Sequence, residues 1–375
     1  MNPRDLALSY VRNIAPYQPG KPISELAREM GLDEHSIIKL ASNENPLGMS
    51  PKARRAIEHA LPELARYPDG NGFTLKKAIA EKLKVMQDNI VLGNGSNDVL
   101  ELVAQVFLAS GRAAVYSQYA FAVYPLATQA RGAHHIVVKA KNFGHDLVAM
   151  RQAITPATAV IFIANPNNPT GTLLTAGEVK AFVENVPADK IIVLDEAYNE
   201  YLSSSDQTDS IAWLKKHPNL IITRTFSKAY GLAGLRVGYA IAHSDIVDLM
   251  NRVRQPFNVS HLAQMAATAA LHDDEFVNKS VALNQKGLRQ LIDGFKKLDL
   301  SYIPSYGNFL CVCIGTKADV VYKSLLKKGV IVRPLTSYDM PSYLRVTVGL
   351  PEENDRFLNV LTTILKDLTL GAPNK

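Results

Sequence analysis

Cysteine is nearly absent: Cys311 and Cys313 are the two in 375 residues. They stand one residue apart in Asn308-Phe-Leu-Cys-Val-Cys-Ile314. In a strand that spacing puts both on one face, and it is neither a C-x-x-C redox pair nor a zinc half-site. Both are expected as buried free thiols. Long apolar runs are missing too. Nothing approaches the ~18 residues needed to span a bilayer, and Met-Asn-Pro-Arg-Asp is not followed by a hydrophobic signal core. The expectation is a cytoplasmic protein with no membrane partner. Like charges are never concentrated: 41 Lys and Arg against 35 Asp and Glu give +6, dispersed along the chain. That disfavours nucleic acid as a partner and leaves a mild positive field suited to anionic small molecules. No internal repeat is visible, and the one small polar tract, Ser203-Ser-Ser-Asp206, reads as a surface loop. H-E-x-x-H and the other metal-ligand spacings are absent, which leaves a metal hydrolase without support. G-x-x-x-x-G-K-[ST] is absent, and Gly93-Asn-Gly-Ser-Asn-Asp98 lacks the third glycine of the dinucleotide fingerprint. An ATPase or a nucleotide-dependent dehydrogenase is thereby disfavoured.

What is present is the composition of a globular protein, 47% apolar and 20% charged. At about 150 residues per domain, the length favours two domains. Short apolar, β-branched runs recur at Ile90-Val-Leu92, Ala159-Val-Ile-Phe-Ile163, Lys190-Ile-Ile-Val-Leu194, Leu220-Ile-Ile-Thr223 and Val237-Gly-Tyr-Ala-Ile241. Continuous hydrophobicity of this kind marks strands covered on both faces, and helical patterns at Asp98–Leu108 and Thr175–Asn185 fall between them. The fold class is therefore α/β, a mostly parallel sheet sandwiched by helices. After Pro256 longer helical stretches alternate with strand candidates near Asn308–Ile314, Val330–Val332 and Tyr343–Val348. These read as a smaller α+β domain over residues 256–375, beside a large domain over 39–255. Residues 1–38 read as an arm packing on the small domain.

Ligands of open α/β sheets sit beyond the carboxyl ends of the strands. There the segment Thr225-Phe-Ser-Lys-Ala-Tyr-Gly-Leu-Ala-Gly-Leu-Arg-Val-Gly238 places Lys228 among small residues, with Ser227 before it and Arg236 eight later. A lysine amine with a depressed pKa forms a Schiff base with an aldehyde cofactor, while a hydroxyl and a guanidinium make a phosphate cradle. The alternative for Lys228 is a solvated loop charge. Gly93–Asp98 follows a strand and opens a helix, so its backbone N–H groups and the Ser96 hydroxyl face a spot for an anion.

The Lys228 segment resembles the pyridoxal-phosphate lysine signature of class II aminotransferases, the fold type I transferases. Ser42-Asn-Glu-Asn-Pro-Leu-Gly48, Asn165-Pro-Asn-Asn-Pro-Thr-Gly171, Asp195-Glu-Ala-Tyr198 and Leu344-Arg-Val-Thr-Val-Gly349 agree with that family in order. With Pro16-Tyr-Gln-Pro-Gly20, the set is most similar to the branch acting on histidinol phosphate. The resemblance implies pyridoxal 5'-phosphate as cofactor and a homodimer with shared sites. It implies Lys228, Asp195 and Tyr198 as the catalytic set. Gly95, Ser96, Thr225, Ser227 and Arg236 would lie about the cofactor phosphate, and Tyr67 would reach the phosphate of the other subunit. Asn168 and Tyr198 would hydrogen-bond the pyridoxal 3-oxygen, and Tyr119 would stack on the ring. Asn45 and Arg345 would meet the substrate carboxylate, with Arg333 and Tyr17 near its distal end.

Each residue also has a reading of its own. Asp195 closes an apolar strand, where an ionised carboxylate can pair with a pyridinium nitrogen; it could equally cap a helix. Asn168 could be a turn former. Phe121 or Tyr124 could be ordinary core aromatics in place of a stacking ring near Tyr119. Arg345 is costly in a strand unless paired; it suits a carboxylate ligand bidentately, or an internal Asp or Glu. His134, His135 and Trp213 match no catalytic pattern and read as structural. The expected reaction converts histidinol phosphate and 2-oxoglutarate into imidazole-acetol phosphate and glutamate, in histidine biosynthesis. An aromatic amino-acid aminotransferase, a decarboxylase of a phosphorylated amino acid, and a catalytically idle binding protein are the other readings.

Overall fold

The computed structural model describes residues 2–370. Thirteen strands follow in order: β1 Ile38–Lys39, β2 Ile90–Gly93, β3 Ala113–Ser117, β4 His134–Val138, β5 Thr158–Ala164, β6 Ile191–Asp195, β7 Leu220–Thr225, β8 Gly238–Ile241, β9 Tyr302–Ile303, β10 Phe309–Cys313, β11 Val330–Ile331, β12 Arg333–Pro334 and β13 Tyr343–Thr347. β2 to β8 form one seven-stranded sheet in the order β2-β8-β7-β6-β5-β3-β4. Within it β8 alone runs against its neighbours, and the remaining pairings are parallel.

The apolar runs become these strands because helices cover both faces of the sheet. All seven residues of β5 are buried, and the two faces feed separate apolar cores, Ile161 and Ile163 on one side and Val160 and Phe162 on the other. Two strands have no counterpart in the sequence pattern. β3 is Ala-Ala-Val-Tyr-Ser, with a single β-branched residue. β4 opens on His134 and His135 and forms the sheet edge, where Val137 stays exposed. His135 there hydrogen-bonds the Tyr116 hydroxyl of β3. The helix Ser96–Phe107 starts two residues before its hydrophobic pattern, behind Gly95 at φ +80°. The helix Ala176–Asn185 starts on a capping box made by Thr175 and Glu178.

A second, four-stranded antiparallel sheet runs β12-β13-β10-β9. Period-2 alternation divides β13 cleanly. Leu344 and Val346 enter a core with Leu310, Val312 and residues of the helices Asp274–Lys297 and Pro351–Leu370, whereas Arg345 and Thr347 take the opposite face. Cys311 shares that opposite face, buried, with its Sγ on the Pro169 carbonyl at 2.9 Å. Cys313 is free but only half-buried, which corrects the expectation of two buried thiols. It lies at the open end of β10, opposite Tyr343. β1 pairs in parallel with β11, and Leu40 joins the small-sheet core. The chain therefore passes from the small sheet directly into the 41–45 segment. Among the described residues no helix is long and apolar enough to cross a membrane.

Candidate active site

β2, β5, β6 and β7 end at the same edge of the large sheet, with β8 between β2 and β7, and the residues just past their carboxyl ends meet the Arg345 face of the small sheet. Between them lies a cavity of about 290 Å³. Its walls include Tyr17, Asn43, Ser96, Phe121, Asn168, Asp195, Tyr198, Thr225, Ser227, Lys228, Arg236, Arg333, Tyr338 and Arg345.

Lys228 lies in the turn after β7. Its Nζ donates to the Ser42 carbonyl at 3.1 Å and sits 5.9 Å from the centre of the Tyr198 ring. Burial, reinforced by the charge of Arg345, pushes its pKa down to about 7. The solvated-loop reading of Lys228 is thereby corrected: the turn folds inward because Thr225 Oγ1 accepts the Ser227 N–H at 3.1 Å. Arg236 turns back toward the same spot, with its guanidinium on Ser227 Oγ at 3.4 Å and on the Ala233 carbonyl at 3.1 Å. Gly95 lies against that guanidinium so closely that a Cβ there would come within 2.3 Å of it. Ser96 opens its helix on the same wall.

Asp195 closes β6. Its Oδ2 accepts from the Tyr124 hydroxyl at 2.9 Å, and its buried Oδ1 has no well-formed hydrogen bond from any of the described residues. Burial raises its pKa. It is not a helix cap, since the next helical turn, Asn199–Tyr201, begins behind Tyr198. Tyr198 is buried, which raises its pKa to about 12, and its oxygen accepts from Asn43 Nδ2 at 2.9 Å and Asn168 Nδ2 at 3.2 Å. The polar turn after β5 spends its other asparagines on itself. Asn165 bonds both the N–H and the carbonyl of Leu174, and Asn167 donates to the Tyr119 carbonyl and to Thr170. Asn168 alone among the three is turned to the cavity.

Arg345 and Arg333 are direct partners across β13 and β12, so both guanidinium groups leave the same face. Arg345 Nη1 donates to Asn168 Oδ1 at 2.6 Å and Nη2 to the Ala41 carbonyl at 2.9 Å, with the group 5.3 Å from the Phe309 ring. Arg333 donates to the Gln18 carbonyl at 2.8 Å and stands 5.5 Å from the Tyr17 ring. None of these partners is a carboxylate, so Arg345 is not held by an internal ion pair. Two buried like charges side by side, neither with a carboxylate partner among the described residues, describe a place for anions.

Three expected residues lie elsewhere. Asn45 does not face the cavity: its side chain donates to the Ala229 carbonyl at 2.9 Å and Ser280 Oγ at 2.8 Å and accepts from the Leu47 N–H at 3.0 Å. Both its donors and its oxygen are engaged in holding the segment, and Asn43 takes the wall instead. Tyr119 is turned away onto Phe143, ring centroids 6.0 Å apart, while Phe121 supplies the aromatic ring of the wall. Tyr67 is 82% exposed and stacks on Phe257 at 4.7 Å, outside this cavity. The sequence offers Phe121 and Tyr124 as core aromatics. Nothing in a tyrosine's neighbours along the chain tells that its hydroxyl will meet a carboxylate 71 residues on. Asn43 did carry a signal, since it shares the Ser42–Gly48 motif with Asn45.

Aminotransferase class I and II is the family whose model matches this chain, over residues 35–361. Histidinol-phosphate aminotransferase 2 of Nitrosospira multiformis is 61% identical over 99% of this chain and 95% of its own length. Histidinol-phosphate aminotransferase of Methylobacillus flagellatus is 60% identical over 97% of this chain and 99% of its own. The crystal structure of histidinol-phosphate aminotransferase from Sinorhizobium meliloti in complex with pyridoxal-5'-phosphate superposes with a TM-score of 0.88 at 25% identity, covering 96% of this chain and 97% of that one. A lysine at the end of a parallel sheet, a buried carboxylate beside it, and this similarity along nearly the whole sequence make the chain a member of the class I and II aminotransferases.

Proposed function

We propose that this protein transfers an amino group between histidinol phosphate and 2-oxoglutarate, with pyridoxal 5'-phosphate as cofactor, as a step of histidine biosynthesis in the cytoplasm. One observation carries the reading: a lysine amine brought near neutrality stands in the same cavity as two carboxylate-free arginines. The relatives' names point to the same substrate.

The residues present fit the cofactor. Asp195 Oδ1 is a buried oxygen lacking a donor, which a protonated pyridine nitrogen supplies. Gly95, Ser96, Ser227 and Arg236 form a cradle whose glycine leaves room beside a guanidinium, as a phosphate needs. When bound, the cofactor acts as an electron sink for the carbanion formed at the substrate Cα. Lys228 would hold it and would serve as the base for the Cα proton; an amine with a pKa near 7 is half unprotonated at neutral pH. Asp195 keeps the ring nitrogen protonated. Tyr198 and Asn168 would hold its 3-oxygen, and Phe121, on the same cavity wall, would be the aromatic ring available to its pyridine. Arg345 takes an α-carboxylate, and Arg333 with Tyr17 takes the distal phosphate or γ-carboxylate.

We assign the arm, large and small domains to residues 1–38, 39–255 and 256–375, and we infer a homodimer in which Tyr67 reaches the partner's cofactor phosphate. Tyr67 and Phe257 form an exposed aromatic pair on the rim that such a partner would cover. A transamination assay with histidinol phosphate beside phenylalanine and tyrosine tests the substrate. The expected result is a large kcat/KM preference for histidinol phosphate. A preference for phenylalanine sinks the phosphate-binding role and makes the enzyme an aromatic transaminase. Borohydride reduction followed by peptide mapping should place the phosphopyridoxyl group on Lys228.

A further inference from the structure

Asn43 is a buried polar residue that the expected chemistry does not use. It sits at φ +54°, a left-handed conformation that asparagine tolerates better than most residues, and is 1% exposed. Its surroundings define its orientation completely. The Thr347 Oγ1 accepts the Asn43 backbone N–H at 2.9 Å, so the Thr347 proton is left to donate to Asn43 Oδ1 at 3.2 Å. Asn308 Nδ2 donates to the Asn43 carbonyl at 3.0 Å. With its oxygen held by Thr347, the Asn43 amide has only its NH₂ to offer Tyr198, and it donates to the Tyr198 oxygen at 2.9 Å. Asn168 Nδ2 donates to the same oxygen at 3.2 Å.

A phenol has one proton to donate and two acceptor sites. We propose that Asn43, held by Thr347, is a positioning residue: with Asn168 it fills the acceptor sites of the Tyr198 oxygen, leaving the hydroxyl proton as the one group Tyr198 presents to the cavity, toward the cofactor 3-oxygen. The proposal rests on the pyridoxal-phosphate reading above. β13 carries the support, since Thr347 lies two residues beyond Arg345 on the same face. One strand therefore sets both an anion-binding arginine and the direction of the Tyr198 proton. Burial keeps that phenol protonated, with a pKa pushed up to about 12.

The test is equilibrium binding, not turnover. Cofactor-stripped full-length protein is titrated by fluorescence quenching with pyridoxamine 5'-phosphate and with its 3-deoxy analogue, neither of which bonds covalently to Lys228. Wild type should bind the parent compound more tightly. Asn43→Ala should weaken the parent by roughly three- to tenfold, the loss of one neutral hydrogen bond, and change the 3-deoxy analogue less than about twofold. Placed in a Tyr198→Phe background, the same substitution should change neither. Asn43→Asp keeps the shape and the left-handed backbone but replaces the donor with an acceptor that captures the Tyr198 proton. Its loss should be at least as large and confined to the parent compound. Equal weakening of both compounds, or of neither, in variants with unchanged melting temperature overturns the role of Asn43. Wild type that binds both equally well overturns it too, by removing the 3-oxygen contact of Tyr198. Wild type that binds neither compound overturns it together with the cofactor reading itself.

Discussion

Lys228 is the one lysine among the described residues lining the cavity, and its environment departs far from water. Its amine has a pKa of 10.5 in an unfolded chain and about 7 in the fold. Between those values the unfolded state binds the extra proton, so stability rises with pH; below about 7 both states are charged and the burial penalty is fully present. Cofactor-free wild type is therefore expected to gain on Lys228→Met as pH rises from 7 to 10.5, by at most about 1.4 kcal/mol per pH unit, checked by urea unfolding of both proteins. A constant difference across that window would show that Lys228 is solvated. The two arginines are separable by substrate. Glutamate carries an α-carboxylate that histidinol phosphate lacks, so Arg345→Leu should cripple the half-reaction with glutamate and spare that with histidinol phosphate. Arg333→Leu should weaken both, by about 1.5–3 kcal/mol for each charge-assisted hydrogen bond lost. Single-turnover kinetics of each half-reaction reads this out, and equal losses for both substrates in the Arg345 variant would reassign it.

At the scale of elements, the junction of β6 and β7 is held by a network that the sequence did not reveal. Glu196, one residue past Asp195, accepts from Arg224 Nε at 3.0 Å and Nη2 at 2.8 Å, from Ser210 Oγ at 2.6 Å and from Thr208 Oγ1 at 3.3 Å. Both charged groups are buried. Removing one of them strands the other, so Glu196→Ala is expected to cost about 3–5 kcal/mol in denaturant unfolding. A loss below about 1 kcal/mol would mean water reaches Arg224. What could be read in advance follows the same division between local and distant. The apolar strands β5, β6 and β7 and the polar turns behind them were legible, because a strand covered on both faces needs continuous β-branched residues and its end needs a turn. β3 and β4 were not: β4 is the sheet edge and needs little apolar material, while β3, buried between β5 and β4, is largely alanine and serine, which carry no strand signal. Lys228, Asp195, Asn168 and Arg345 were legible as a set. Asn45 and Tyr119 turn to partners outside the cavity while Asn43 and Phe121 line it, because the backbone at these places is irregular, left-handed at Asn43 and a turn at Tyr119, and its direction depends on partners brought in from remote strands.

For the molecule as a whole, the inferred dimer makes a prediction that single chains cannot meet. If Tyr67 serves the partner's site, a mixed dimer of Lys228→Ala with Tyr67→Ala holds one site with both lesions and one with neither. Activity is expected to reappear on mixing two impaired proteins, and its failure to do so in demonstrated heterodimers would argue for self-contained sites. The pairing of β1 with β11 has a temporal side as well. Residues 38–39 are made on the ribosome well before their partners 330–331. The segment carrying Ser42 and Asn43 must therefore wait, unpaired, through synthesis of the entire large sheet. The cofactor cradle on that sheet can close while the chain is still growing, but the wall that completes it arrives only once β12 and β13 have been made. A nascent chain halted after β8 would hold Lys228 and Asp195 yet lack both arginines, so that capture of a phosphate would precede any ability to choose a substrate.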